Sequence, residues 1–220
     1  MSENALLQGR YRAFLFDMDG TVLNSIASAE LVWGAWAKRQ GLDVESFLPT
    51  IHGARSVDTI AALKLPDIDP AAEALSITLA EIETADGIVE ISGAIRFLKA
   101  LPAHGWAIVT SAPRALAEAR IKAACLPQPP LLITAEDVTA GKPDPQGYLL
   151  AAQKLGVDIA DCLVFEDAPV GIAAGHAAGA QVVVITETHS HPLVSPHIHI
   201  AAYNRLTPHL DAEGYIRLSA

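Results

Sequence analysis

Basic residues are scarce in this sequence: 15 lysines and arginines stand against 25 aspartates and glutamates in 220 residues, a net charge of -10. A nucleic-acid backbone needs a basic face, so nucleic acid is not expected as a partner. The deficit leaves room for a small phosphorylated ligand, which is met by a local set of donors, a lysine and a divalent cation whatever the overall sign. Cysteine is scarcer still. Cys125 and Cys162 sit in neither a Cys-x-x-Cys nor a Cys/His spacing, so two buried, reduced thiols are expected and no disulfide framework. Long apolar runs are missing as well. No stretch approaches a membrane span, and residues 1–11 lack the apolar centre of a secretory signal, so no membrane partner and a cytoplasmic location are expected. What the chain does have is 51% apolar residues, many of them alanine, enough to pack one domain or one domain with a smaller insert.

Two textures divide the chain. From about residue 26 to 86 the pattern is helical throughout: Ile26, Ala29, Trp33, Trp36 and Ala37 recur at helical spacing over 26–40, with Lys38 and Arg39 in the last turn and Gly41 as the stop. A second helix is expected over 56–63, and a third from the Asp69-Pro70 cap to about residue 85, with Leu75, Leu79 and Ile82 as its apolar stripe. Strand and helix then alternate. A helix capped by Ser92 precedes a strand at 106–109, a helix at 113–124, a strand at 131–133, a helix from Pro145 to Gly156, a strand at 163–165, a helix at 169–178 and a strand at 182–185. Such alternation implies parallel strands with right-handed crossovers and a ligand crevice beyond their carboxyl ends. The expected architecture is therefore α/β: a Rossmann-like parallel-sheet core from residues 1–25 and 90–220, with a small all-helical domain inserted at 26–89.

Polar residues gather where those strands end. Phe14-Leu15-Phe16 runs into Asp17-Met18-Asp19-Gly20-Thr21, two carboxylates at i, i+2 before a glycine turn; alternation along a strand would direct both to one side, against a single small cation. Ala107-Ile108-Val109 ends in Thr110-Ser111-Ala112-Pro113, hydroxyls at a helix start suited to phosphate oxygens. Gly141-Lys142-Pro143-Asp144-Pro145 sets a lysine in a loop stiffened by two prolines, able to bring an ammonium between two anions. Leu163-Val164-Phe165 ends in Glu166-Asp167, adjacent acids that repel unless a cation or donors lie between them. With Asp17 and Asp19 they suggest a Mg²⁺ site.

In that order the four motifs resemble those of the haloacid dehalogenase superfamily of phosphatases and phosphomutases, and the resemblance spans nearly the whole chain. His52-Gly53-Ala54-Arg55, Ile133-Thr134-Ala135-Glu136-Asp137-Val138 and Phe165-Glu166-Asp167-Ala168-Pro169 look like the branch of glycerol-3-phosphatases, 2-deoxyglucose-6-phosphatases and related bacterial sugar phosphatases, in which a helical cap follows the first motif. The resemblance implies that Asp17 is the nucleophile, forming an aspartyl-phosphate, and that Asp19 is the general acid and base. It implies Mg²⁺ held by the Asp17 side chain, the Asp19 carbonyl, the Asp167 side chain and, through water, Glu166. Thr110 and Lys142 would hold the phosphoryl group with Ser111 beside them. Asn24, where many relatives have Asp, Ser25, His52, Gly53 and Arg55 are candidates for substrate contact. A phosphorylated sugar or polyol is the expected substrate, and a monomer the default expectation for the assembly.

Within the superfamily a dehalogenase would not need Asp19, and a phosphonatase would need a cap lysine where His52-Gly53-Ala54-Arg55 stands. A phosphomutase shares every core residue and remains the alternative enzyme; a Mg²⁺- or phosphosugar-binding module without turnover is the alternative from another class. His189, His191, His197 and His199 invite a transition-metal reading, but Pro192 and Pro196 interrupt them. A polar loop leading into an edge strand, with the last two histidines alternating against Ile198 and Ile200, is the preferred reading.

Overall fold

The computed structural model describes residues 3–220, with side chains from Leu6 onward. Six strands form one parallel sheet: β1 (Ala13–Phe16), β4 (Trp106–Val109), β5 (Leu132–Ile133), β6 (Cys162–Glu166), β7 (Gln181–Ile185) and β8 (Ile198–Ile200), in the order β5-β4-β1-β6-β7-β8. Helices α6 (Ala94–Lys99), α7 (Arg114–Ala123), α8 (Gln146–Leu155) and α9 (Pro169–Ala178) connect them. Two further short strands, β2 (Leu23–Asn24) and β3 (Val89–Glu90), pair antiparallel where the chain leaves the core and where it returns. Outside these, α1 (Glu3–Gln8) and an antiparallel hairpin of β9 (Thr207–Leu210) and β10 (Ile216–Ser219) complete the core. Between β2 and β3 lie α2 (Ile26–Arg39), α3 (Val44–Phe47), α4 (Ser56–Ala62) and α5 (Pro70–Glu83).

Strand alternation sorts the core into two faces. Phe14 and Phe16 of β1 pack with Phe165, Phe97 and Tyr203 on one side, the Phe16 and Phe165 rings stacked 4.7 Å apart. Ala13 and Leu15 pack with Cys162, Val164, Tyr148 and Ala174 on the other, against α8 and α9. The helices between β2 and β3 hold a third hydrophobic cluster of their own, around Trp33, Trp36, Phe47, Ile60 and Ile77.

Several expectations are corrected. Leu75 and Leu79 of α5 are 59% and 54% exposed; the buried stripe is Ala74, Ile77, Thr78 and Glu81. Ser92 does not cap α6: Gly93 does, at φ +83, with Asn204 occupying the space a β-carbon would need, while the Ser92 N–H bonds the Glu187 carboxylate. Cys125 is exposed, and Cys162 alone of the two thiols is buried. The edge strand at 198–200 forms as expected, with the isoleucines buried and His199 exposed. Among the described residues no helix is long and apolar enough to cross a membrane.

Candidate active site

Three neighbouring parallel strands, β4, β1 and β6, end side by side, and each delivers a polar residue to the same edge. Phe16 pairs with Phe165 in register, so Asp17 and Glu166 come next on adjacent strands. With a period of two, both continue the face of Leu15 and Val164, the side covered by α8. There the loop before α8 supplies Lys142. Its ammonium hydrogen bonds to Asp17 Oδ1 and, at 2.6 Å, to Glu166 Oε1; the Tyr148 hydroxyl donates to that same Glu166 oxygen at 2.7 Å. Glu166 Oε2 accepts from the backbone N–H groups of Asp167 and Ala168 at 3.1 and 3.3 Å. Gly171 is required over this carboxylate, since a β-carbon there would lie 1.7 Å from Glu166 Oε1. Asp167 accepts from Thr21 Oγ1 at 3.1 Å, and its main-chain oxygen is 3.0 Å from His189 Nε2.

Burial drives the electrostatics. It raises the Asp17 carboxyl above the usual range, Lys142 pulling it back and Glu166 and Asp19 pushing it further up. Burial likewise raises Asp167 well above that range, reinforced by Asp17 and Glu166. For Lys142 burial acts to lower the ammonium, but Asp17 and Glu166 outweigh it and hold the group above an ordinary lysine. One carboxylate oxygen from each of Asp17, Glu166 and Asp167 lies within 4.8 Å of the other two. An all-carboxylate set suits a hard divalent cation such as Mg²⁺, and such an ion relieves the mutual repulsion that these buried acids suffer.

Asp19 departs from the strand-based expectation. The strand stops at Phe16, and Asp19 lies in a tight loop where Gly20 has φ +82 and its N–H bonds the Leu23 carbonyl at 2.7 Å. Its carboxylate therefore does not join the Asp17 cluster: Oδ1 accepts from Ser25 Oγ and, at 2.9 Å, from Arg120 Nη1. Arg120 of α7 in turn donates through Nη2 to Glu81 of α5 at 2.9 Å. Neither Arg120 nor Glu81 was singled out in the sequence, although a signal exists. Arg120 shares the apolar stripe of α7 with Leu116, Ala117 and Ile121, a charge on an apolar face, whereas Glu81 lies off the leucine stripe that the sequence of α5 offers first.

A cavity of about 70 Å³ lies between these strand ends and α2–α5, with Asp17, Asp19, Ser25, Thr110, Ser111, His52, Glu81, Arg120 and Asp167 in its walls. Thr110 Oγ1 accepts from the Ala112 N–H at 3.0 Å, which leaves its own proton free. Ser111 Oγ donates to the Gly53 carbonyl at 2.8 Å and so ties the core to the inserted helices. His52 lies on the cavity wall, with Nε2 3.5 Å from Glu30. Two of the expected contacts lie elsewhere. Arg55 is held by Asp58 on one side and by the Val138 and Thr139 carbonyls on the other, packed over Gly141, outside the central cavity. Asn24 sits in the β2/β3 ribbon, its Oδ1 accepting from the Ile26 N–H at 3.2 Å at the start of α2.

A model of the haloacid dehalogenase-like hydrolases matches residues 11–179. Hexitol phosphatase A of Escherichia coli is 42% identical over 180 residues, 80% of this chain and 83% of that protein. Glycerol-1-phosphate phosphohydrolase 2 of Saccharomyces cerevisiae is 36% identical over 192 residues, 81% and 76% of the two chains. Among solved structures, a hydrolase from Pseudomonas syringae superposes with a TM-score of 0.73 at 26% identity, covering 83% of this chain and 87% of that one. With all four motif segments converging on one crevice of the expected α/β fold, the chain belongs to the haloacid dehalogenase-like hydrolases, and among them to the phosphatases.

Proposed function

We propose that this phosphatase hydrolyses small phosphorylated sugars or polyols through an aspartyl-phosphate on Asp17, with Mg²⁺ as cofactor and residues 26–89 as a cap over the site. The observation that carries the reading is the meeting of Asp17, Thr110, Glu166 and Asp167 at three adjacent strand ends, with the Lys142 ammonium between two of the carboxylates. The names of the relatives, a hexitol phosphatase and a glycerol-1-phosphate phosphohydrolase, support the substrate class.

In the first step an Asp17 oxygen forms a bond to phosphorus as the bond to the sugar oxygen breaks, and Asp19 gives that oxygen its proton. In the second, Asp19 takes a proton from the water that attacks phosphorus, which frees phosphate and restores Asp17. Lys142 offsets the charge of two anions brought together, and the free hydroxyl proton of Thr110 is available to a phosphoryl oxygen. Mg²⁺, held by the side chains of Asp17 and Asp167, the Asp19 carbonyl and, through water, Glu166, would neutralise phosphoryl charge when bound. The cap excludes water from the cavity, and its contacts through Gly53, Arg55 and Glu81 favour its closed seating.

The test is phosphate release from a panel of hexitol, hexose, 2-deoxyhexose and glycerol phosphates, with Mg²⁺ and with a chelator, comparing the parent with Asp17→Asn. Release by the parent that chelation and Asp17→Asn both abolish is expected. Interconversion of sugar phosphates without release would point to a mutase, and binding without either would point to a sensing module.

A further inference from the structure

The Arg120 guanidinium spans two carboxylates that lie in different parts of the fold. Nη1 is 2.9 Å from Asp19 Oδ1 in the core, and Nη2 is 2.9 Å from Glu81 Oε1 on α5 of the cap. The Arg120 and Glu81 side chains are 6% and 4% exposed, so that arm of the pairing lies out of water, where losing one partner is felt by the other, while Asp19 is 28% exposed at the cavity. The Nε–H is buried with no partner among the described residues. The side chain is thus placed for the two carboxylates, even at the expense of an unsatisfied donor. All three groups line the cavity over Asp17, so the chain from cap to acid ends at the reacting centre.

We propose that Arg120 is a positioning residue: by sharing its guanidinium between Glu81 of the cap and Asp19 of the core, it makes the placement of the acid-base carboxylate depend on the cap being seated. The proposal rests on the reading of Asp19 as general acid. With the cap closed, Glu81 fixes one end of the guanidinium and the fork geometry fixes the other, so Asp19 Oδ1 is held between Arg120 and Ser25 while its second oxygen has no hydrogen-bond donor among the described residues. With the cap displaced, α5 withdraws Glu81 and Arg120 loses the anchor that aims it. Proton transfer to the leaving oxygen is then matched to the state in which bulk water is excluded.

The experiment is single-turnover release of the leaving group, with enzyme in excess and Mg²⁺ present, on two substrates. One is the sugar or polyol phosphate ranked first in the panel above, whose leaving oxygen needs a proton. The other is p-nitrophenyl phosphate, whose leaving group departs as a stable anion and needs none. Asp19→Asn should slow the first far more than the second. Arg120→Gln should follow the same selectivity, slowing sugar or polyol release about 10- to 100-fold with a much smaller effect on p-nitrophenolate release. Arg120→Lys, which keeps the charge, should recover part of the loss. Glu81→Ala should act in the same direction, and the double variant Glu81→Ala/Arg120→Gln should be no slower than Arg120→Gln alone. If Arg120→Gln does not fold, Arg120→Lys and Glu81→Ala carry the comparison. Equal slowing of both substrates by the Arg120 and Glu81 variants, or additive effects in the double variant, overturns the proposal while Asp19→Asn stays selective. An unselective Asp19→Asn overturns the acid-base reading itself.

Discussion

Lys142→Met removes the ammonium between Asp17 and Glu166 while keeping much of the apolar length of the side chain. The Lys142, Asp17 and Glu166 side chains are 6%, 7% and 0% exposed, so water cannot replace the lost cation. Breaking a buried charge pair from one side costs about 3–5 kcal/mol. The remaining carboxylates can escape this by binding a proton, and burial already holds Asp17 and Asp167 above their ordinary range. Removing Lys142 raises them further in the folded state and leaves the unfolded state unchanged. The folded variant then binds more protons than the unfolded chain, so its stability is retained at low pH and lost as pH rises. Lys142 itself is held above an ordinary lysine, so the ammonium stays charged in the parent and pulls Asp17 back toward the carboxylate form. The stability gap between parent and variant should therefore widen above about pH 8, where Asp17 of the parent gives up its proton and the variant keeps it, approaching about 1.4 kcal/mol per pH unit for each retained proton until it levels off near the full penalty. Thermal melts in a chelator at a series of pH values measure it; about 2–4 °C per kcal/mol is expected for a chain of this size. With Mg²⁺ present, the same substitution should lower kcat about 10²- to 10³-fold, as for other groups that stabilise developing charge. A gap that does not change with pH, or a variant with parental turnover, refutes the reasoning.

Two further outcomes follow from the site. A divalent cation binding at Asp17 and Asp167 must displace protons that burial favours, so Mg²⁺ should raise the melting temperature more at pH 8 than at pH 6, with affinity gaining up to about tenfold per pH unit for each proton released; equal shifts at both pH values would argue against binding there. Gly53 has φ +79, and a β-carbon on it would lie 2.7 Å from Ala168 Cβ and 2.8 Å from Val170 Cγ2, where the inserted helical segment meets α9. Gly53→Ala should cost about 1–3 kcal/mol and also raise KM, whereas Gly87→Ala, at φ +89 with open space around it, should carry the backbone strain but leave KM unchanged. Stability curves and steady-state kinetics on the two variants separate those effects; a parental KM for Gly53→Ala would remove the junction from the argument.

The polar edge of the sheet was legible because each of its parts is local. An apolar run of three or four residues that stops at an acid or a hydroxyl is a strand ending at a polar loop, and the parallel order of such strands brings their carboxyl ends together. Asp17, Thr110, Glu166 and Asp167 lie where that logic places them, and the proline-stiffened loop before α8 adds Lys142. The strand rule failed at Asp19, since it holds only while the chain stays extended and the strand ends at Phe16. The partners of Arg55 were equally illegible: an arginine with five donors binds whatever carbonyls and carboxylates come near, and here these are Asp58 and the 138–139 segment.

The sequence by itself determined the α/β alternation, the helical stretch between β2 and β3, and the order of the motifs, because periods of 2 and 3.6 and residues at strand ends are properties of neighbouring positions. Which face of α5 turns inward was decided by tertiary structure. Its sequence offers two stripes, Leu75 with Leu79 or Ala74 with Ile77, Thr78 and Glu81, and hydrophobicity ranks the leucine stripe first. The fold takes the other: Ala74 and Ile77 join the cluster around Trp33, Trp36 and Phe47, and Glu81 meets the buried Arg120 of α7. These contacts join residues distant in sequence, Glu81 and Arg120 being 39 positions apart, and no local pattern in the chain carries them.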